Sequence, residues 1–310
     1  MNIGILESDN FSEFAKSQIK QFGVVSELND QDLKEFVFDK HILFVRLKYF
    51  IGEDLLKSAP NLLYICSPTT GLNHIDLDYC TRRNINIISL RGENDFLKNI
   101  KATPEHTLGL IIGLYRKYSL AFQNTNNVNW NRENYRGNEI NGSKIGFVGF
   151  GRVAKIVSLY LKTMGAQVAF FDIKNSISSE NNEMKCNDIK ELVSWSECVV
   201  LTASYMPENG VIINDEIFDL MKDKYFVNTA RAELTQENYL IKKISENYFK
   251  GVALDVIQNE QNEKNKMLNL IEAARNKNVI ITPHIGGATF DSMKKTEDFI
   301  TSKLTKYLDL

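Results

Sequence analysis

Lys144-Ile145-Gly146-Phe147-Val148-Gly149-Phe150-Gly151-Arg152-Val153-Ala154 is an apolar run of strand character that ends in two glycines and opens an amphipathic stretch. In such a strand–turn–helix, Gly149 permits the tight turn and Gly151 lets the backbone approach a pyrophosphate. The third position needs a small side chain for helix–sheet packing, and Ala154 supplies it. The N–H groups and dipole of the helix N-terminus then hold the phosphates. A second strand pattern over residues 167–171 ends at Asp172, about twenty residues further on, where a carboxylate can bond a ribose 2′-OH and repel a 2′-phosphate. Strand, turn, helix, strand and acid fall in register and predict a dinucleotide site. Asp172 favours NAD over NADP, a preference that Lys174 would soften.

Strand patterns continue beyond this point at residues 198–201, 225–228, 251–255 and 279–282, with helical stretches between most of them. Upstream, residues 2–6, 41–45, 62–66 and 85–88 read as strands, and residues 11–22, 54–58 and 75–82 as helices. Such alternation predicts α/β architecture with parallel sheets and helices on both faces. Thr103-Pro104-Glu105 reads as a capped helix start, Thr at the cap and Pro at the first position, with the helix running to about Phe122. A last amphipathic helix covers residues 291–308. The Asn-rich stretches 124–134 and 258–266 read as loops. Nearly half the chain precedes the glycine motif. That order predicts two Rossmann-like or flavodoxin-like domains: residues 1–97 plus 290–310, and an inserted cofactor domain, residues 98–289, with the active site expected in the cleft between them.

The 310 residues are 43% hydrophobic and 25% charged with a net charge of −2, which excludes disorder and leaves no electrostatic footprint for nucleic acid. Lys-rich patches are interleaved with acids. Cys66, Cys80, Cys186 and Cys198 form no C-x-x-C and no metal-like cluster, so no metal is expected. The longest apolar stretch is too short for a bilayer, and Glu7, Asp9 and Glu13 stand where a signal peptide would be basic and apolar. A cytoplasmic protein with no membrane partner is expected.

Three polar residues stand at or just past strand ends: Arg231 in Asn228-Thr229-Ala230-Arg231, Glu260 after Asp255, and His284 in Thr282-Pro283-His284-Ile285-Gly286-Gly287. Ligands of open parallel sheets bind outside the carboxyl ends of the strands, so the three can converge. Taken singly, each has a plainer reading: a surface ion pair, a solvated loop acid, a turn histidine. Of the other histidines, His41 reads as structural, His74 as a cap for the next helix or a contact to substrate, and His106 as part of the first turn of the long helix; Asp76 reads as a helix N-terminal acid.

In these residues the chain resembles the D-isomer-specific 2-hydroxyacid dehydrogenases. Ser67-Pro68-Thr69-Thr70-Gly71-Leu72-Asn73-His74-Ile75-Asp76 is similar to the family's substrate loop, and residues 130–144 to the lead-in of its glycine motif. Arg231, Glu260 and His284 match its catalytic Arg, Glu and His in order and context. The resemblance implies that Arg152 and Val153 meet the pyrophosphate and Thr70 the nicotinamide-side phosphate. It also implies that Ala203, Ala230 and Asp255 surround the nicotinamide, with Gly286 and Gly287 closing the site. A homodimer through the long helix and Asn-rich arm is implied too, and no C-terminal regulatory domain is expected.

The implied chemistry is coherent. Arg231 would clamp carboxylate and carbonyl of a 2-oxo acid through its planar fork. His284 would give or take the proton at the oxygen, with Glu260 stabilising the imidazolium. Backbone N–H groups around Thr70 and Gly71 would hold the carboxylate. Residues 45–50 would line the side-chain pocket, where Lys48 suits a phosphate and Tyr49 and Phe50 an apolar group. Departures from the family pattern are Thr202, Ser204, Ala232, Thr235 and Gln261. Two other readings compete: a non-catalytic NAD(H)-sensing or scaffold protein, and a formate or phosphite dehydrogenase, which would want a Gln before the His motif.

Overall fold

The computed structural model describes residues 1–126, 128, 130–258, 260 and 264–308. The chain divides into two compact units, residues 1–100 with 288–310, and residues 101–287.

The first unit is built on a five-stranded parallel sheet of order β2-β1-β3-β4-β5. Its strands are β1 (Asn2–Ile5), β2 (Val24–Glu27), β3 (Ile42–Phe44), β4 (Tyr64–Ser67) and β5 (Asn86–Ser89). Helices α1 (Glu13–Ile19), α2 (Leu33–Val37), α3 (Glu53–Leu56), α4 (Leu77–Arg82) and α5 (Asn94–Leu97) connect them. β3 is buried throughout, as a central strand covered on both faces must be. One face packs Leu43, Ile65, Leu56 and Val37; the other packs Ile3, Ile5, Phe44 and Ile88. The C-terminal helix of the chain returns to that second face, inserting Ile300 and Leu304. It is also tied there by Glu297, whose carboxylate takes the Ser12 N–H and pairs with Arg46. Arg46 also bonds the Asp9 carbonyl, so its guanidinium serves the fold.

The second unit opens with α6 (Ala102–Tyr115) and α7 (Tyr118–Asn126), then carries a seven-stranded parallel sheet. Its strands are β6 (Lys144–Val148), β7 (Gln167–Phe171), β8 (Met184–Lys185), β9 (Cys198–Leu201), β10 (Tyr225–Asn228), β11 (Gly251–Leu254) and β12 (Val279–Ile281). Their order is β12-β11-β10-β9-β6-β7-β8, so the strand order reverses between β6 and β9. Helices α8 (Arg152–Thr163), α9 (Ile189–Trp195), α10 (Asp215–Asp219), α11 (Glu237–Ser245) and α12 (Lys264–Ala274) cross over, and α13 (Phe290–Leu308) belongs to the first unit.

Four local expectations are corrected. The long helix begins at Ala102 behind an uncapped Lys101, so Thr103 lies inside the helix and caps nothing. It also breaks before Phe122: Lys117 takes a positive φ of 53°, and α7 restarts at Tyr118 and extends into the stretch read as loop from residue 124. The edge strands β2 and β8 have no counterpart in the sequence reading. The loop expected at 258–266 gives way to α12 at Lys264, and residues 259 and 261–263 of it lie outside the described residues, as do the last two residues of the segment 290–310. None of the described helices is long and apolar enough to cross a membrane.

Candidate active site

The glycine turn follows β6. Gly149 takes φ +84°, and a Cβ there would lie 2.4 Å from the Ala203 Cα just past the end of β9, so both conformation and space demand glycine. Thr202 closes the same junction by donating its hydroxyl to the Gly149 carbonyl at 2.7 Å. Gly151 is different. It caps α8 in extended backbone, and a Cβ there would meet nothing within 4 Å. The first glycine is required by the protein, whereas the second leaves open space before a helix N-terminus. That space, at the point where strand order reverses, fits a dinucleotide pyrophosphate. Ala154 is fully buried between α8 and the sheet, and Val153 packs on the same core. Arg152 is half-buried beside the turn, where burial draws its pKa down. Asp172 accepts the N–H of Phe150 at 2.8 Å and of Lys174 at 2.9 Å, which fixes the acid against the glycine turn.

Three adjacent strands deliver the polar residues. Asn228 ends β10, buried; its Nδ2 donates to the Arg231 carbonyl and its Oδ1 accepts the Ala230 N–H. This folds residues 228–231 into a turn and carries Arg231 out of the sheet. Arg231 Nη1 donates to the Ala230 carbonyl at 2.7 Å. Burial lowers the Arg231 pKa, while the carboxylates of Glu233, Glu260 and Asp255 favour its charge. A guanidinium stays ionised despite such a shift.

Asp255 follows β11 and is buried. Its Oδ1 accepts the Thr282 hydroxyl at 2.6 Å and the Ile285 N–H at 2.9 Å, with His106 Nε2 at 3.1 Å; its Oδ2 accepts the Gly286 N–H at 2.8 Å. Burial alone would raise the carboxyl pKa, but the bonds from His106, Thr282 and Gly286 overcome it and hold the group below the ordinary value. The loop after β12 is therefore strapped to the end of β11. A Cβ on Gly286 would come within 2.8 Å of Asp255 Oδ2, so glycine is what lets this amide reach the carboxylate.

On that loop His284 has φ +53°, a left-handed conformation uncommon for a residue with a Cβ. Its N–H donates to the carbonyls of Asp255 and Thr282, both at 2.9 Å. Its Nδ1 lies 2.7 Å from Glu260 Oε2, with the ring mostly covered. A carboxylate on Nδ1 assigns the proton there and leaves Nε2 for chemistry. The two residues thus meet, although Glu260 comes from a polar loop. Strained backbone held by several bonds is a mark of a functional site.

Residues 108–286 match the model of the D-isomer specific 2-hydroxyacid dehydrogenase, NAD binding domain. The chain belongs to this family. It is 28% identical over 292 residues to D-3-phosphoglycerate dehydrogenase 1 of Saccharomyces cerevisiae, an alignment covering 92% of this chain and 61% of that protein. This chain thus spans about three fifths of that relative's length. Among solved structures it resembles D-lactate dehydrogenase from Aquifex aeolicus complexed with NAD and lactic acid, with TM-score 0.84, 23% identity and coverage of 99% and 96% of the two chains. It also resembles NAD-dependent formate dehydrogenase from Staphylococcus aureus in complex with NAD, with TM-score 0.85, 21% identity and coverage of 99% and 96%. These last two are likenesses of fold.

Within this dehydrogenase family chain, several residues that support the site went unread in the sequence. Asn228 shapes the Arg231 turn, and His106 and Thr282 complete the bonds to Asp255. Gln258 donates its side chain to the Thr235 carbonyl at 3.2 Å and its N–H to Glu237 Oε1 at 2.7 Å, stitching the segment before Glu260 to the segment after Arg231. Only an Asx-type spacing at residues 228–231 was available as a signal; the other pairs are distant in sequence. Thr70 and Gly71 lie in the first unit, on the loop after β4, with Thr70 exposed. Asp76 caps α4 through the Tyr79 N–H, as an acid at that helix N-terminus should, so His74 is not the cap. His41 Nδ1 accepts the Asn2 N–H, a structural bond. Among the described residues no group of His, Cys, Asp and Glu is arranged to hold a metal.

Proposed function

We propose that the protein is an NAD-dependent dehydrogenase that interconverts 2-oxo acids and D-2-hydroxy acids. The observation that carries this reading is the 2.7 Å pair of His284 Nδ1 and Glu260 Oε2, on the same sheet end as Arg231 and the glycine turn. When bound, NADH supplies the hydride for the carbonyl carbon of the 2-oxo acid. Arg231 orients the substrate by bonding carboxylate and carbonyl oxygens through its fork and stabilises the negative charge that develops on oxygen. His284, charged and supported by Glu260, delivers its Nε2 proton to that oxygen; in the oxidative direction the neutral ring takes the proton back. Gly149, Gly151, Arg152 and Val153 would hold the pyrophosphate and Asp172 the adenine ribose. Ala203, Ala230, Asp255, Gly286 and Gly287 would border the nicotinamide, with Asp255 also fixing the loop of Ile285 and Gly286. The amides near Thr70 and Gly71 would take the substrate carboxylate.

The apolar arm supports a homodimer: Tyr118 and Phe122 stack on each other at the surface, and Trp130 is 90% exposed. The four free, buried cysteines suit the reducing cytoplasm.

The test is NADH oxidation with glyoxylate, pyruvate, hydroxypyruvate, phosphohydroxypyruvate and phenylpyruvate, with NADPH in parallel and His284→Ala as control. Turnover that vanishes in the control supports the proposal, and the panel ranks the side-chain pocket. Tight NADH binding without turnover overturns it in favour of an NAD(H)-sensing role.

A further inference from the structure

The loop after β4 contains a chain of hydrogen bonds that ends on a buried histidine. The Thr69 hydroxyl lies 2.8 Å from the Gly71 carbonyl, the Ser67 hydroxyl 2.8 Å from the Thr69 hydroxyl, and His74 Nε2 3.3 Å from the Ser67 hydroxyl. Ser67 and His74 are buried, at 0% and 4% exposure. Counting protons fixes the direction. A carbonyl only accepts, so Thr69 donates to Gly71 and its oxygen must receive the Ser67 proton. Ser67, having given its single proton away, must accept from His74. Any other arrangement leaves one of these three contacts without a hydrogen. His74 is thereby assigned an Nε2–H, which donates to Ser67.

The consequence reaches the loop's outer surface. The peptide bond between Gly71 and Leu72 is trans, like every peptide bond described, so its N–H points opposite to its carbonyl. With the Gly71 carbonyl held on the Thr69 hydroxyl, the Leu72 N–H points away from that bond. Around it the loop is held by the Leu90 N–H on the Thr69 carbonyl at 3.1 Å and by the Ile75 N–H on the Leu72 carbonyl at 3.0 Å. The main chain of His74 is fixed as well, its carbonyl accepting the Ile51 N–H at 2.8 Å.

We propose that His74 is a positioning residue for the substrate loop: through Ser67 and Thr69 it sets the orientation of the 71–72 peptide and so presents the Leu72 N–H to the carboxylate of the 2-oxo acid. The proposal rests on the dehydrogenase reading given above. It concerns the 71–72 peptide, which lies outside the glycine turn that would hold the dinucleotide, and leaves the Thr70 side chain, the loop's implied cofactor contact, in place.

The test compares His74→Leu, which removes the donor, with His74→Gln, which restores an N–H at a similar reach. The expected result in His74→Leu is a KM for the preferred 2-oxo acid raised about tenfold, with kcat within about twofold and NADH affinity by fluorescence titration unchanged. His74→Gln should recover most of the lost KM. An unchanged KM in His74→Leu, or a Gln variant no better than the Leu variant, overturns the proposal. So does a parallel loss of NADH affinity and melting temperature, which would mark a purely structural residue. Nitrogen NMR of the His74 ring supplies a readout independent of turnover: an Nε2–H is required, and the Nδ1–H tautomer refutes the relay. Should the wild-type protein turn over no 2-oxo acid while the ring shows Nε2–H, it is the dehydrogenase reading that falls, and with it the substrate role, while the relay as the loop's fastening stands.

Discussion

Asp255→Asn isolates the strap that holds the His284 loop. The substitution is nearly isosteric, and its amide oxygen can keep the Oδ1 partners Thr282, Ile285 and His106. The new NH2 then faces the Gly286 N–H, where a carboxylate oxygen accepted it at 2.8 Å. Donor meets donor in a site only 2% exposed, so the Gly286 amide is left without its bond. An orphaned buried donor costs about 1–3 kcal/mol, and loss of charge weakens the three bonds that remain, for a total of about 3–4 kcal/mol. For a unit of this size that is a fall of about 10 °C in melting temperature, measured by calorimetry on the protein without ligand. The pH dependence gives a second reading. Because the folded-state carboxyl lies below its ordinary 3.8, its stabilisation is complete above that value and is lost as pH falls through the folded-state pKa. The gap between wild type and variant should therefore narrow in acid. A variant that melts within about 2 °C of wild type at neutral pH, or a gap that stays constant in acid, would refute the reasoning.

Three further outcomes are expected. Glu260→Gln keeps an oxygen for the imidazole but removes the carboxylate charge 2.7 Å from the ring, so kcat for reduction should fall about 10–100-fold with NADH affinity intact; steady-state kinetics beside fluorescence titration decides it. Gly149→Ala pushes a Cβ into the Ala203 backbone at a positive φ, and should weaken NADH binding at least tenfold while lowering the melting temperature; a variant with wild-type affinity would show that the turn is not the dinucleotide site. Burial would raise the Glu183 carboxyl, but the Asn181 amide and the Ser158 and Ser179 hydroxyls draw it down to about 2 from 4.5, which corresponds to about 3 kcal/mol of stability at neutral pH. That contribution is lost as pH falls from 4.5 toward about 2, so denaturant unfolding of Glu183→Gln should differ from wild type at pH 7 and converge with it near pH 2.

Much of the larger sheet was legible because its central strands are fully buried and therefore read as apolar runs, as Cys198–Leu201 does throughout and Tyr225–Asn228 does up to its final Asn. The edge strands were not. Val24–Glu27 has no buried residue and Met184–Lys185 is only two residues long, so neither imposes a pattern on the sequence. The break after Tyr115 carries no Gly or Pro; a lysine accepts the left-handed turn instead, and composition gives no warning of that. At the site, Arg231, His284 and Glu260 were recognisable as residue types near strand ends. Their supports were not, because a satisfied acceptor such as Asp255 is defined by partners from 27 to 149 residues away. The sequence offered Asp255 as a residue beside the nicotinamide, and gave no sign of the bonds it takes from Thr282, Ile285, Gly286 and His106.

The backbone at His284 asks for one kind of residue and the proposed chemistry for another. At φ +53° a glycine or an asparagine would sit with less strain, by about 1 kcal/mol, and drift toward either would be favoured in a gene copy released from turnover. On the proposed mechanism, the imidazole at this position is held at the expense of local stability. In related chains whose role is uncertain, the residue at this point would separate working enzymes from descendants that have kept only the fold.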